Sequence, residues 1–228
     1  MSILSPRFVL SAMLLALSMA AVSEENFLGE KANRAIYDLQ EKADSAFAKG
    51  DYGQALEVYQ KELAPLGDKY SQYMVGYMYL AGKGVQEDAI LASAWYRLAA
   101  QRETEQYARI RDSLLALFND EQRSRSDQLY TGLRHEMGDL TLVGQLIESD
   151  LQVLRRGRSL FLQGATVRSM SRQRIDAMDA AAERISARVE MLDRQIVLET
   201  TLDAGERESL TKLLREAETE VAAYKARH

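Results

Sequence analysis

The sequence predicts an all-α protein, in which a short α-solenoid of helical hairpins is followed by a C-terminal, coiled-coil-like helical hairpin. Apolar side chains recur at the helical spacings of three and four residues along much of the chain. The composition is rich in Ala, Leu, Glu, Gln and Arg, which favour helices. The only prolines are Pro6 and Pro65, so no proline interrupts a helix beyond residue 65.

Residues 1–23 carry the features of a secretory signal peptide of bacterial type. An apolar run of about fifteen residues follows Arg7, and the small residues Ala21 and Ser23 suit cleavage after Ser23. Cleavage after Ala20 is a second option. The run is shorter than the roughly 20 residues that span a bilayer as a helix. The chain is therefore predicted to be periplasmic or secreted after signal cleavage, with an uncleaved membrane anchor as the alternative.

Composition excludes several functional classes. The formal net charge of -5 argues against a nucleic-acid binder, which usually carries a basic excess. The absence of cysteine removes disulfides, thiol catalysis and thiolate zinc sites. His135 is followed by Glu136 without a second histidine at the spacing of a zinc protease, and no serine lies in a nucleophile-elbow pattern. We expect no catalytic residue, no metal site and no cofactor.

Two helical hairpins are predicted in the first half of the chain. The turn Lys49-Gly50-Asp51 separates the helices of the first, and the loop Gly82-Lys83-Gly84-Val85 separates those of the second. Ala43 and Gly76, on the first helices of the two hairpins, are 33 residues apart, and the second helices match at an offset of 37. The first offset is close to the tetratricopeptide period of about 34 residues, and the larger second offset reflects a loop that is four residues longer in the second hairpin.

The second hairpin carries small, aromatic, glycine and acidic residues in the order Gly76-x-Met78-Tyr79-x-x-Gly82-x-Gly84-Val85-x-x-Asp88, followed by Ala92-x-x-Trp95-Tyr96-x-x-Ala99-Ala100. This order is similar to that of a Sel-one-like repeat. The first hairpin resembles a degenerate tetratricopeptide hairpin, through Gly50-Asp51-Tyr52-x-x-Ala55-Leu56-x-x-Tyr59. Together the two resemblances cover about residues 33–101, under half of the chain.

The resemblance implies a tetratricopeptide/Sel-one-like repeat region over residues 31–137. In such an α-solenoid, small residues let helices approach closely and aromatic residues fill the space between them, and members of the family usually act as scaffolds or adaptors. The repeat-packing roles fall on Gly76, Tyr79, Gly82, Gly84, Ala92, Trp95, Tyr96 and Ala99. Because such arrays normally stack three or more hairpins, a third, degenerate repeat near residues 104–137 is left open.

Tyr70, Tyr73 and Tyr77 form a stripe at spacings of three and four residues. Two interpretations are open. The stripe either fills the space between helices, or it lines a groove that binds a protein or peptide partner in the cell envelope. These three tyrosines are the candidate partner groove.

Residues 139–228 are predicted to form the C-terminal helices, with an antiparallel hairpin over about residues 171–226. Its first helix carries a heptad seam, with alternating spacings of three and four, made by Ile175, Met178, Ala182, Ile185, Val189, Leu192 and Ile196. Asp203 and Glu206 predict a capping box at the start of the second helix. Alternatively, the seam pairs with another protomer and forms a homo-oligomer.

Residues 155–174 contain six arginines and no acidic residue. The cluster either is a solvated boundary between helices or makes a peripheral contact with an anionic membrane or an acidic partner.

The function predicted from these features is that of a non-enzymatic periplasmic scaffold or adaptor, which binds a protein or peptide through a helical-repeat groove. The first alternative is a structural or assembly protein that self-associates through the heptad helix. An enzyme acting on the cell wall or on polysaccharide is the second alternative, which the predicted location permits.

Overall fold

The computed structural model describes residues 30–102, 105–162, 170–199 and 201–227, and within these ranges all regular structure is helical. The prediction of an all-α protein is therefore confirmed. The predicted signal peptide, residues 1–23, lies outside the described residues. None of the described helices combines the length and the apolar content that crossing a membrane requires.

The α-helices are α1 (Glu30–Ala48), α2 (Tyr52–Glu57), α3 (Lys69–Ala81), α4 (Ala89–Ala99), α5 (Glu105–Leu115), α6 (Asp120–Met137), α7 (Asp139–Leu162), α8 (Arg172–Leu198) and α9 (Ala204–Lys225). A π-helical turn (Val58–Leu63) and two 3₁₀ turns (Ala64–Leu66 and Ala100–Arg102) complete the described elements. The chain forms two compact units, residues 1–130 and 131–228. The division falls inside α6, whereas the sequence places it at the end of that helix.

The first hairpin turns at Gly50, whose φ of +83° is a left-handed conformation that glycine adopts without strain. The side chain of Asp51 then caps α2 by accepting a hydrogen bond from the backbone N–H of Gln54 at 3.2 Å. Helix α2 runs directly into the π-helical turn and then into the 3₁₀ turn that contains Pro65. The predicted second helix therefore exists, but its hydrogen-bonding pattern changes along its length.

The second hairpin, α3 and α4, is the centre of the first unit. Asp68 caps α3 by accepting from the backbone N–H of Ser71, and Asp88 caps α4 by accepting from those of Ile90 and Leu91. Residues 71–78 are buried without interruption, so α3 is covered on every side.

Lys69, the first residue of α3, has an exposed fraction of 0%. Its Nζ donates hydrogen bonds to the carbonyl oxygen of Leu98 at 2.9 Å and to the side-chain oxygens of Gln72 and Gln101 at 3.0 and 3.3 Å. Leu98 lies in the last turn of α4, where a cation is favourable to the helix dipole. The lysine therefore joins the start of α3 to the end of α4.

The second unit contains α7, α8 and α9, each packed against the other two. Helices α8 and α9 span the residues of the predicted hairpin and pack on each other, and α7 joins them in a three-helix arrangement in which α8 packs more extensively on α7 than on α9. At Gly157 a Cβ atom would lie 2.0 Å from the sulfur of Met178, so glycine permits the close approach of α7 and α8. The capping box of α9 forms as predicted, with Asp203 and Glu206 each accepting from the other's backbone N–H.

Candidate functional site

The predicted repeat-packing residues on the helices of the second hairpin are buried, except for Tyr79. At Gly76 a Cβ atom would lie 3.0 Å from the ring of Tyr96 and 3.3 Å from the carbonyl oxygen of Ala92. A side chain at this position would therefore push α3 and α4 apart. The remaining members on α4 are inaccessible to solvent or nearly so: Ala92, Trp95, Tyr96 and Ala99. Their burial agrees with a packing role.

The two loop glycines, Gly82 and Gly84, both have positive φ angles, +62° and +72°. Gly84 lies against the backbone of Tyr52, where a Cβ atom would be 2.6 Å from the carbonyl carbon. The loop of the second hairpin therefore packs on the first helix turn of α2. Tyr79 is half-buried, and its hydroxyl lies 3.4 Å from the side-chain oxygen of Gln60.

Two of the three candidate groove tyrosines do not reach solvent. Tyr73 has an exposed fraction of 3% and Tyr77 one of 8%. The ring of Tyr73 stacks on that of Tyr107 with centroids 5.4 Å apart, and the ring of Tyr77 lies 6.0 Å from that of Phe47. The interpretation of this stripe as an open groove is therefore wrong for Tyr73 and Tyr77, which fill the space between helices.

The hydroxyl groups of Tyr73 and Tyr96 are buried without a hydrogen-bond partner among the described residues. Burial, together with the neighbouring Tyr77, raises the pKa of Tyr73 to about 12. Burial also raises the pKa of Tyr96 well above its usual range. Both shifts reflect burial of the phenol groups between helices.

The third tyrosine, Tyr70, is half-buried, and its hydroxyl donates a hydrogen bond to Asp44 on α1 at 3.1 Å. Burial, followed by the charge of Asp44, raises the pKa of Tyr70. On α1, Tyr37 is 67% exposed, and Glu41 and Asp44 are exposed four and seven residues further on. This spacing places the three side chains on one helix face. We refer to Tyr37, Glu41, Asp44 and Tyr70 as the α1 ridge.

The heptad seam is buried within the second unit. Met178, Ala182, Ile185, Leu192 and Ile196 are buried, and the two remaining members, Ile175 and Val189, are half-buried. Helices α7 and α9 of the same chain supply the contacts. Pairing of this seam with another protomer would therefore require the three-helix arrangement to open.

An ionic cluster in the second unit, in which Asp150 and Arg188 are buried and Arg184 is exposed, was not predicted. The carboxylate of Asp150 on α7 accepts hydrogen bonds from Arg184 and Arg188 on α8. Burial lowers the pKa of Arg188, while the charge of Asp150 opposes that change. A sequence signal exists, because Asp150 is three residues from the inward-facing Ile147 and four from Leu154 and so shares their helix face.

The second unit also contains an open cleft of about 480 Å³, lined by Arg134, Leu140, Thr141, Leu202, Asp203, Gly205, Glu206, Ser209 and Leu210. Arg134 is buried and donates hydrogen bonds to both carboxylate oxygens of Glu206, at 2.9 and 3.1 Å. Glu206 therefore neutralises the guanidinium group, and the pair ties α6 to the start of α9.

Two arginines of the Arg-rich stretch, residues 155–174, form ion pairs. Arg155 pairs with Glu148 and Glu216, and Arg158 pairs with Glu220 at 2.6 Å.

Among the described residues, no group of three or more His, Asp or Glu side chains is arranged to hold a metal ion. Comparison of the chain with family models, with curated proteins and with solved structures finds no match.

Proposed function

We propose that the chain is a non-enzymatic protein of the cell envelope that holds a protein or peptide partner on the helical hairpins of its first unit. The signal-like residues 1–23 and the resemblance of residues 76–100 to a Sel-one-like repeat support this proposal. The observation that carries the choice of surface is the α1 ridge, where Tyr37 stands 67% exposed beside two carboxylates.

The α1 ridge has the chemistry of a recognition surface. A tyrosine offers a large amphipathic contact area at a small cost in side-chain entropy, and aromatic residues are enriched in the centres of protein interfaces. Glu41 and Asp44 add acidic groups that restrict which partners can approach. Tyr70 connects this surface to α3, because its hydroxyl shares the carboxylate of Asp44 with the hydroxyl of Tyr59. These hydrogen bonds fix the position of Asp44 in the α1 ridge before any partner binds.

The test is site-specific photo-crosslinking of the full chain in its native envelope. An aromatic crosslinking residue at Tyr37, which keeps a ring at this position, should yield an adduct that the same residue at Lys61 does not. Lys61 is a matched control because it is exposed and lies on the second helix of the same hairpin. The Tyr37→Ala variant should then reduce recovery of the crosslinked protein about tenfold, as expected for a tyrosine that anchors an interface.

Identical adducts from both positions would contradict the proposal, because they would report random encounters. Unchanged recovery of the partner by the Tyr37→Ala variant would contradict the choice of the α1 ridge. The Lys61→Ala variant should retain the partner in full.

A further inference from the structure

One end of the second unit brings together three helix ends, those of α7, α8 and α9. Helices α7 and α9 run in the same direction and α8 runs between them in the opposite one, as three contacts establish: Arg155 with Glu216, Arg158 with Glu220 at 2.6 Å, and the hydroxyl of Tyr224 with Asp179 at 2.6 Å. The C-terminal turns of α7 and α9 therefore lie beside the N-terminal turns of α8.

The outermost turns at this end carry an excess of basic residues, and Asp176 and Asp179 of α8 are the exposed acidic residues beside them. The stretches 155–162, 170–175 and 221–227 contain seven arginines and lysines and neither aspartate nor glutamate. Arg155 and Arg158 are paired with carboxylates further along α9. The other five are exposed and form no ion pair within the described part of the chain: Arg156, Arg172, Arg174, Lys225 and Arg227. We call these five residues the basic end.

The basic end contrasts with the remainder of the protein, because the chain as a whole has a net charge of -5. Exposed acidic residues elsewhere on the surface would repel an anionic partner, so such a partner is directed to this end. Leu160 in the last turn of α7 is half-buried and follows Arg158 by two residues. Basic and apolar residues together are typical of segments that bind at a membrane interface.

We propose that the basic end binds the surface of an anionic lipid bilayer. Its charges come from the ends of three helices and so form an end face, and none of the five residues lines the cleft described in this unit. A bilayer presents a plane of negative charge and needs no shape match to such a face. Each exposed basic residue near an anionic surface strengthens binding about fivefold, so five residues are enough for stable peripheral association.

The experiment is sedimentation of the full chain with vesicles of phosphatidylcholine, alone or mixed with phosphatidylglycerol. The chain should bind the mixed vesicles, bind those of phosphatidylcholine alone weakly, and dissociate as salt is raised. The triple variant Arg156→Gln, Arg172→Gln, Arg174→Gln should lower the partition coefficient on mixed vesicles about a hundredfold. The double variant Lys225→Gln, Arg227→Gln, at the other end of the sequence, should lower it about twentyfold.

The matched control is the triple variant Lys49→Gln, Arg194→Gln, Lys212→Gln, which changes the net charge equally at exposed positions away from the basic end. It should bind the mixed vesicles like the unmodified chain. All variants share residues 1–23, so an effect of that segment is common to all of them. Circular dichroism checks that each variant is folded.

Three results would overturn the proposal. The first is equal loss of binding in the control and in the basic-end triple variant, which would show that only net charge matters. The second is unchanged binding in both basic-end variants. The third is binding to poly-glutamate without binding to mixed vesicles, which would assign the basic end to an acidic protein.

Discussion

Asp150 and Arg188 form an ion pair in the interior of the second unit, with side chains that are 8% and 5% exposed. The two residues are 38 positions apart in sequence and lie on different helices, α7 and α8. Arg184 binds the same carboxylate from one turn earlier on α8. The carboxylate of Asp150 thus binds two arginines of α8, and these ion pairs help to set the register of α8 against α7.

Loss of the carboxylate should therefore be costly. We expect the Asp150→Ala variant to lose about 3–5 kcal/mol of stability, because it leaves a buried guanidinium without its counter-charge. Replacing the pair together, as Asp150→Leu with Arg188→Met, should recover most of that loss. Urea unfolding followed by circular dichroism measures the difference. The exposed pair of Arg194 and Glu190 is the control, and the Arg194→Ala variant should change stability by less than about 1 kcal/mol.

The close approach of α3 and α4 at Gly76 gives a second prediction. The Gly76→Ala variant should be destabilised by about 1–3 kcal/mol, because its Cβ atom would contact the ring of Tyr96 and a backbone oxygen that cannot easily move. The Gly132→Ala variant is the control, since nothing lies within 4 Å of a Cβ atom there and the residue is inside α6. Alanine at that position should raise stability by about 0.5–1 kcal/mol. Thermal denaturation measures the change in stability of each variant. Equal changes in the two variants would contradict the packing role of Gly76.

Phenylalanine substitutions should separate the buried tyrosines into two groups. The hydroxyls of Tyr73 and Tyr96 have no partner in the described structure, so Tyr73→Phe and Tyr96→Phe should be neutral or stabilising. The hydroxyl of Tyr59 donates to Asp44, so Tyr59→Phe should cost about 0.5–1.5 kcal/mol. Urea unfolding midpoints of the three variants provide the measurement. A destabilised Tyr96→Phe variant would indicate an undetected hydrogen bond at that hydroxyl.

Alkaline pH should destabilise the first unit through Tyr73. Its pKa is 10.0 in the unfolded chain and about 12 in the folded protein, because burial disfavours the phenolate. The stabilising contribution of the neutral side chain is therefore complete below pH 10 and is lost as pH rises toward 12. The free energy of unfolding should fall over this interval, and it should fall less steeply in the Tyr73→Phe variant. Unfolding midpoints measured across this pH range test the expectation, and identical slopes would refute it.

The features that sequence predicted correctly are local ones. The helices follow from the spacing of apolar residues and the absence of proline, and the capping box follows from Asp203 and Glu206 standing three residues apart. Tyr59 and Tyr96, which the sequence aligns with each other in the two hairpins, are both fully buried. These properties depend on residues within a few turns of one another.

The features that sequence missed depend on contacts between distant helices. The spacing of Tyr73 and Tyr77 predicts a stripe, but only the positions of Tyr107 and Phe47 decide that the stripe is covered. Likewise, the heptads of α8 predict one apolar seam, but they do not reveal that α7 packs there as well as α9. Buried polar residues such as Asp150 were missed for the same reason, because their partners lie on another element.

The buried amine of Lys69 is a natural probe of local unfolding in the first unit. An amine-reactive reagent reaches exposed lysines such as Lys49 and Lys61 at once, whereas Lys69 reacts only after α3 and α4 have separated. The labelling rate at this one position, followed by peptide mass spectrometry, therefore measures how often the centre of the first unit opens. We expect Gly76→Ala to accelerate labelling of Lys69 and to leave that of Lys61 unchanged. Lys69, which connects α3 and α4, is therefore also the residue whose labelling rate reports how often these two helices separate.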